Sequence, residues 1–142
     1  MIKDFAKAWE RYNQNLKVLI ANSENHKEWD YIDLLKLTFE SVINTYLDDE
    51  GREVFDTEKI VTIDDGCYSG TLVFVLHRGS WPNIDDYIYT SVEYGSCCVC
   101  DTLQGIQYDG EYETKPNERQ VKDYLNECLH LLQNCFCMKE YE

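Results

Sequence analysis

Two short segments carry the residue types that chemistry needs. In Tyr94-Gly95-Ser96-Cys97-Cys98-Val99-Cys100-Asp101, Cys97 and Cys100 stand at CxxC spacing, which lets two thiolates reach one zinc ion or each other. Two ligands do not close a tetrahedral site. A third and fourth would have to come from Cys67, Asp64, Asp65, His130 or the Cys135-Phe136-Cys137 run, none of which has a strong ligand spacing. The expectation is therefore no resident cofactor, with zinc on Cys97 and Cys100 as the alternative. A redox role for the pair is opposed by Asp101, because a carboxylate beside a thiol favours its neutral form, and the βαβ setting of a thioredoxin-like fold is missing. The second segment, Asp64-Asp65-Gly66-Cys67-Tyr68-Ser69-Gly70-Thr71, pairs two carboxylates with two glycines. That composition suits a divalent cation or acid–base work, and it equally suits a hairpin turn. A nucleophilic triad drawn from Cys67 or Cys97 with His77 fails on position, since His77 falls at the opposite end of its strand from both turns. His26 and His130 lack ligand-like spacing and read as partly exposed.

The elements that must position these segments follow from periodicity. Phe5, Trp9, Tyr12, Leu16, Leu19 and Ile20 recur in steps of three and four and define a helix over about 3 to 21. Ile32, Leu35, Phe39, Val42 and Tyr46 define a second over about 29 to 47, with Asp30 as N-cap and Gly51 closing the turn behind it. Residues 58 to 63 and 71 to 77 are β-branched or aromatic runs flanking DDGCYSG, and residues 87 to 94 alternate as a third strand. Asp101 to Ile106 could open a short helix. Asn117 and Gln120 have capping-box spacing before Val121, Leu125, Cys128, Leu132 and Cys135, which predicts a third main helix over about 117 to 138. Cys128 and Cys135 then belong to the core.

The expected fold is a single α+β domain over residues 1 to 142: two N-terminal helices, a three-stranded antiparallel meander and a C-terminal helix packed on one face of the sheet. In an up-down-up meander the turn after strand one and the segment leaving strand three lie at one end. DDGCYSG and YGSCCVCD are thus expected to meet.

Composition narrows the partners. The 142 residues hold 27 acids against 13 bases, a net charge of −14, with residues 23 to 66 contributing −9. Such a surface repels a phosphate backbone, so direct nucleic-acid binding is not expected. The same field lets the protein compete for a basic groove that normally holds nucleic acid, and Asp48, Asp49, Glu50, Asp64, Asp65, Tyr68, Tyr94 and Asp101 are the residues expected to bind. A 44% hydrophobic and 13% aromatic content is too high for a disordered chain. No stretch approaches the roughly 18 apolar residues of a membrane span, and the start MIKDFAKAWERYNQ lacks the apolar run of a signal peptide. Seven cysteines without a paired framework suit a reducing compartment. The expectation is a cytoplasmic protein with no membrane contact.

DDGxYxGT at Asp64 to Thr71, YGSCxxCDTLQ at Tyr94 to Gln104, and QVKDY with LHL at Gln120 to Leu131 resemble a family of small hypothetical proteins of bacteriophages and prophages of Gram-positive bacteria. The resemblance covers about residues 58 to 134 and marks Asp64, Asp65, Gly66, Tyr68, Gly70, Thr71, Tyr94, Gly95, Ser96, Cys97, Cys100 and Asp101. The chain departs from it at Cys67, where relatives often carry an acid, and at Cys98 and Val99, where they carry small residues, which weakens a shared metal site through Cys67. The family has no assigned activity. What it implies is a phage product in a bacterial host's cytoplasm, and hence an inhibitor of a host or defence factor that handles nucleic acid, such as a CRISPR complex, acting as a nucleic-acid mimic. The alternative is a small enzyme or ligand- or metal-binding protein with its site at the shared end of the meander.

Overall fold

The computed structural model describes residues 1–109 and 113–138. Helix α1 spans Lys3–Ala21, the bounds the apolar stripe implies, and buries Phe5, Ala8, Leu16 and Ile20. Leu19, counted on that stripe, is half exposed. A 3₁₀ turn at His26–Glu28 precedes α2 (Tyr31–Thr38), whose start is tied by the Asp33 carboxylate accepting from the Asp30 amide at 2.8 Å. The expected second helix is not regular. A π-helical turn at Phe39–Ile43 separates α2 from α3 (Asn44–Asp49). Thr38 and Ser41 donate their hydroxyls to the carbonyls of Leu34 and Leu37, at 2.7 and 2.6 Å, and such in-ladder bonds loosen helical geometry. The wider turn lets Phe39, Val42 and Ile43 all point inward, each fully buried. Phe39 meets Phe5 and Phe55 edge-on, with centroids 5.6 and 5.2 Å away. Gly51, at φ 67°, supplies the left-handed turn that ends this helical run.

Strands β1 (Val61–Asp64), β2 (Gly70–His77) and β3 (Tyr87–Tyr94) form the expected meander. β1 starts three residues later than its β-branched run suggested. The order is β1-β2-β3-β4, all antiparallel, with Gly70 opposite Tyr94 and His77 opposite Tyr87. Phe74, Leu76, Ile88 and Thr90 face the helices and are buried. On the other face Val61 and Ile63 lie more than half exposed.

Helix α4 (Thr102–Gln107) follows the cysteine loop, and α5 (Glu118–Gln133) lies on the sheet, where Thr90 donates its hydroxyl to the Leu131 carbonyl at 2.6 Å. The capping box holds as read: Asn117 accepts from the Gln120 amide at 2.8 Å and Gln120 from the Asn117 amide at 3.0 Å. Two expectations fail at the C-terminal end. The helix stops at Gln133 instead of running to about 138, and Phe136–Cys137 forms a fourth strand, β4, paired with β3. Asn134 turns the chain and donates to the Ser91 carbonyl at 3.2 Å, and Phe136 packs on Tyr89 at 5.7 Å. Leu131, Leu132 and Cys135 complete the buried stripe, and beyond them Phe136 and Cys137 pair their backbone with β3. No helix among the described residues is long and apolar enough to cross a membrane.

Candidate functional site

The register of β1, β2 and β3 brings the DDGCYSG turn and the exit of β3 to one end of the sheet. The Tyr94 hydroxyl donates to Asp64 Oδ1 at 2.5 Å, and the same oxygen accepts from the Gly66 amide at 2.9 Å. These bonds favour the ionised carboxylate, so Asp64 is held below the usual carboxylate range, while Tyr94 is pushed up to about 12, chiefly by its bond to Asp64. Asp65 Oδ1 accepts from the Thr71 amide at 2.6 Å. Both carboxylates therefore build the turn and still face solvent, and at its tip Tyr68 is 80% exposed.

Asp101 is different and corrects a sequence expectation. It is buried, at 5% exposure, and so offers no surface for docking. Its Oδ2 caps α4 through the Gln104 amide at 2.9 Å, and its Oδ1 accepts from the Gly95 amide and the Tyr31 hydroxyl, both at 3.0 Å. Tyr31 Oη in turn accepts from the Leu103 amide at 3.2 Å, and burial pushes the pKa of the Tyr31 hydroxyl well above the ordinary phenol value, so it stays protonated. One carboxylate thus ties α2, the end of β3 and α4 together.

Between Gly95 and Asp101 the chain doubles back, with the Asp101 amide donating to the Cys97 carbonyl at 2.8 Å. A Cβ on Gly95 would stand 2.5 Å from the Cys100 carbonyl oxygen, which is why glycine occupies that position. Cys97, Cys98 and Cys100 are exposed free thiols. The Cys97 and Cys100 sulfurs are 3.0 Å apart, and Cys100 Sγ also receives the Cys97 amide at 3.3 Å. These donors, led by the Cys97 thiol, lower Cys100 to about 7. Among the described residues no three His, Cys, Asp or Glu side chains come together to hold a metal. Three of the further ligand candidates are engaged elsewhere, Asp64 in the turn, Cys135 buried with its thiol on the Leu131 carbonyl, and His130 3.9 Å from Glu127, while Cys67 is an exposed free thiol.

Sequence reasoning missed a cleft of about 340 Å³ between the start of α2, the inner face of β1 and β2, and α4. Trp29, Tyr31, Thr62, Leu72, Tyr94 and Gln104 are among its lining residues. Its one sequence signal was Tyr31, whose hydroxyl needs a partner when its ring is buried. The structure also corrects His26, read as partly exposed. It is fully buried, with Nδ1 2.7 Å from the Tyr124 hydroxyl, Nε2 unpartnered, and its protonation disfavoured by that burial.

The expected acidic residues lie on separate elements, at the end of α3 and at the β1–β2 turn. Asp48, Asp49 and Glu50 are exposed at the end of α3, where Glu50 pairs with Arg11 at 3.2 Å. Arg52, two residues on, lies within electrostatic reach of Arg78, just beyond β2. Asp64 and Asp65 sit at the other end of that strand, roughly 23 Å away at about 3.3 Å per residue. His77, opposite Tyr87, also falls at the far end, as expected.

Searches of family models, curated proteins and solved structures find no match to this chain.

Proposed function

We propose that this protein is a non-enzymatic binding protein that inhibits a host or defence factor by occupying a basic groove made for nucleic acid. The observation that carries the reading is uncompensated charge. The chain bears −14, and among the described residues Asp48, Asp49, Asp64 and Asp65 are exposed and have no ion pair with a lysine or arginine. Asp48 and Asp49 at the end of α3 and Asp64 and Asp65 at the β1–β2 turn offer two contact points along an extended basic surface, with Tyr68 standing beside the second. Such contacts gain from counterion release, so the complex weakens steeply with salt. The phage-like motifs supply the setting, a bacterial cytoplasm in which defence nucleases are the targets.

The test is capture on the immobilised full chain from bacterial lysate at low salt, with stepwise salt elution. A retained nucleic-acid-binding protein, released by moderate salt and lost in an Asp64→Asn/Asp65→Asn/Asp48→Asn/Asp49→Asn variant, is the expected result. Retention of no specific protein at low salt overturns the proposal.

A second reading, a small-ligand protein, is favoured by the cleft between α2 and α4, which is lined by the polar residues Thr62 and Gln104 together with apolar Leu72 and Phe74.

A further inference from the structure

The cysteine loop carries an arrangement that neither the acidic surface nor the cleft uses. We propose that Cys97 and Cys100 form a reversible dithiol–disulfide site, with Cys100 attacking and Cys97 resolving, whose oxidant is a small disulfide of the glutathione class. Four observations on the loop converge. The two sulfurs already stand 3.0 Å apart, so closure to the roughly 2.05 Å of a disulfide needs about 1 Å of side-chain movement and no change of fold. Both thiols are exposed, so an external disulfide can reach them. The loop is pinned at its two ends by the bond from the Gly95 amide to the buried Asp101 carboxylate, which keeps the pair in register in either state. Finally, the Cys97 amide, the Cys97 thiol and, at 3.8 Å, the Ser96 hydroxyl surround Cys100 Sγ with donors that stabilise a thiolate.

The sequence objection, that Asp101 would oppose a thiolate, is answered by its placement. Its carboxylate turns inward and is taken up by the Gly95 and Gln104 amides and the Tyr31 hydroxyl. The acidity of Cys100, near 7, follows from the donors around it.

The exchange balances as follows. The Cys100 thiolate attacks one sulfur of glutathione disulfide, forming a mixed disulfide and expelling one glutathione thiolate. The Cys97 thiol, giving up its proton to solvent, attacks Cys100 Sγ and expels the second. Two protein thiols are oxidised to one disulfide, and one glutathione disulfide is reduced to two thiols.

The test uses the full chain equilibrated in glutathione buffers of graded oxidation, acid-quenched, alkylated and mapped by mass spectrometry. The expected result is loss of the mass of two hydrogens from the peptide holding Cys97 and Cys100, reversed by excess reduced glutathione. In Cys97→Ser, Cys100 should instead accumulate one glutathionyl group, and Cys100→Ser should form neither product at comparable rate. At pH 7 Cys100 should react with iodoacetamide roughly five- to tenfold faster than an unperturbed peptide thiol, half-maximal near pH 7. Stable glutathionylation of the wild-type pair, persistence of both thiols under conditions that glutathionylate Cys67, or one equivalent of bound zinc shielding both cysteines would each overturn the proposal. Unchanged circular dichroism of both variants separates these outcomes from misfolding.

Discussion

Helix α5 and the loop after β3 use the same residue for opposite ends. On α5 and just beyond it, Cys128 and Cys135 lie in the core, where loss of hydration pushes both thiols up to about 12. In the loop, Cys100 is exposed to solvent and circled by donors, which bring it down to about 7. In the helix cysteine acts as a small apolar side chain; in the loop it is a nucleophile. The carboxylates divide in the same way. Asp101, buried, is a structural tie across three elements, while Asp64 and Asp65 shape a turn and remain available to a partner. Side-chain type identifies what a residue could do, and burial decides which of those things it does.

The largest test of this contrast is Asp101→Ala. It leaves the Gly95 and Gln104 amides and the Tyr31 hydroxyl without their acceptor, and urea denaturation should show a loss of about 3 kcal/mol or more. A loss within experimental error would mean that the tie is not structural. Next in size, Cys128→Ser places a hydroxyl in a fully buried site and should cost about 1–2 kcal/mol, whereas Cys100→Ser should leave the denaturation midpoint unchanged. Equal effects would erase the distinction between the two cysteine classes.

The smallest expected effect is on pH. His26 is buried and its folded-state value lies below the ordinary 6.5, so folding favours its neutral form. The stability it contributes is complete above about 6.5 and is lost as pH falls through the range between the unfolded and folded values. Glu127, held above its ordinary value by burial, has the opposite sign, with folding favouring its protonated form. The measurement is therefore a difference: stability of wild type minus His26→Gln, followed by denaturation between pH 7.5 and 5. That difference should shrink toward low pH, and a flat difference would contradict the buried neutral imidazole.

Much of the frame was legible in the sequence, because it rests on periodicity and local chemistry. The stripe from Phe5 to Ile20 gives the bounds of α1, alternation gives Tyr87–Tyr94, and Asn117 with Gln120 marks the start of α5. The meeting of the two motif segments followed from strand order alone. What escaped depended on three-dimensional competition. The π turn arises from hydroxyls of Thr38 and Ser41 that the apolar pattern does not register. The end of α5 is set by where the core finishes, and Phe136 and Cys137 look like helix until β3 is there to pair with them. Asp101 and His26 read as surface residues because their partners, Tyr31 and Tyr124, are 70 and 98 positions away.

The most direct measurement is competition for the captured partner between this protein and a duplex oligonucleotide, followed across a salt series. Mutually exclusive binding, with affinity falling linearly in the logarithm of salt and weakened further when the Asp64–Asp65 and Asp48–Asp49 pairs are neutralised, is the predicted result. A ternary complex of partner, duplex and this protein, or binding of the oligonucleotide by this protein itself, would contradict it.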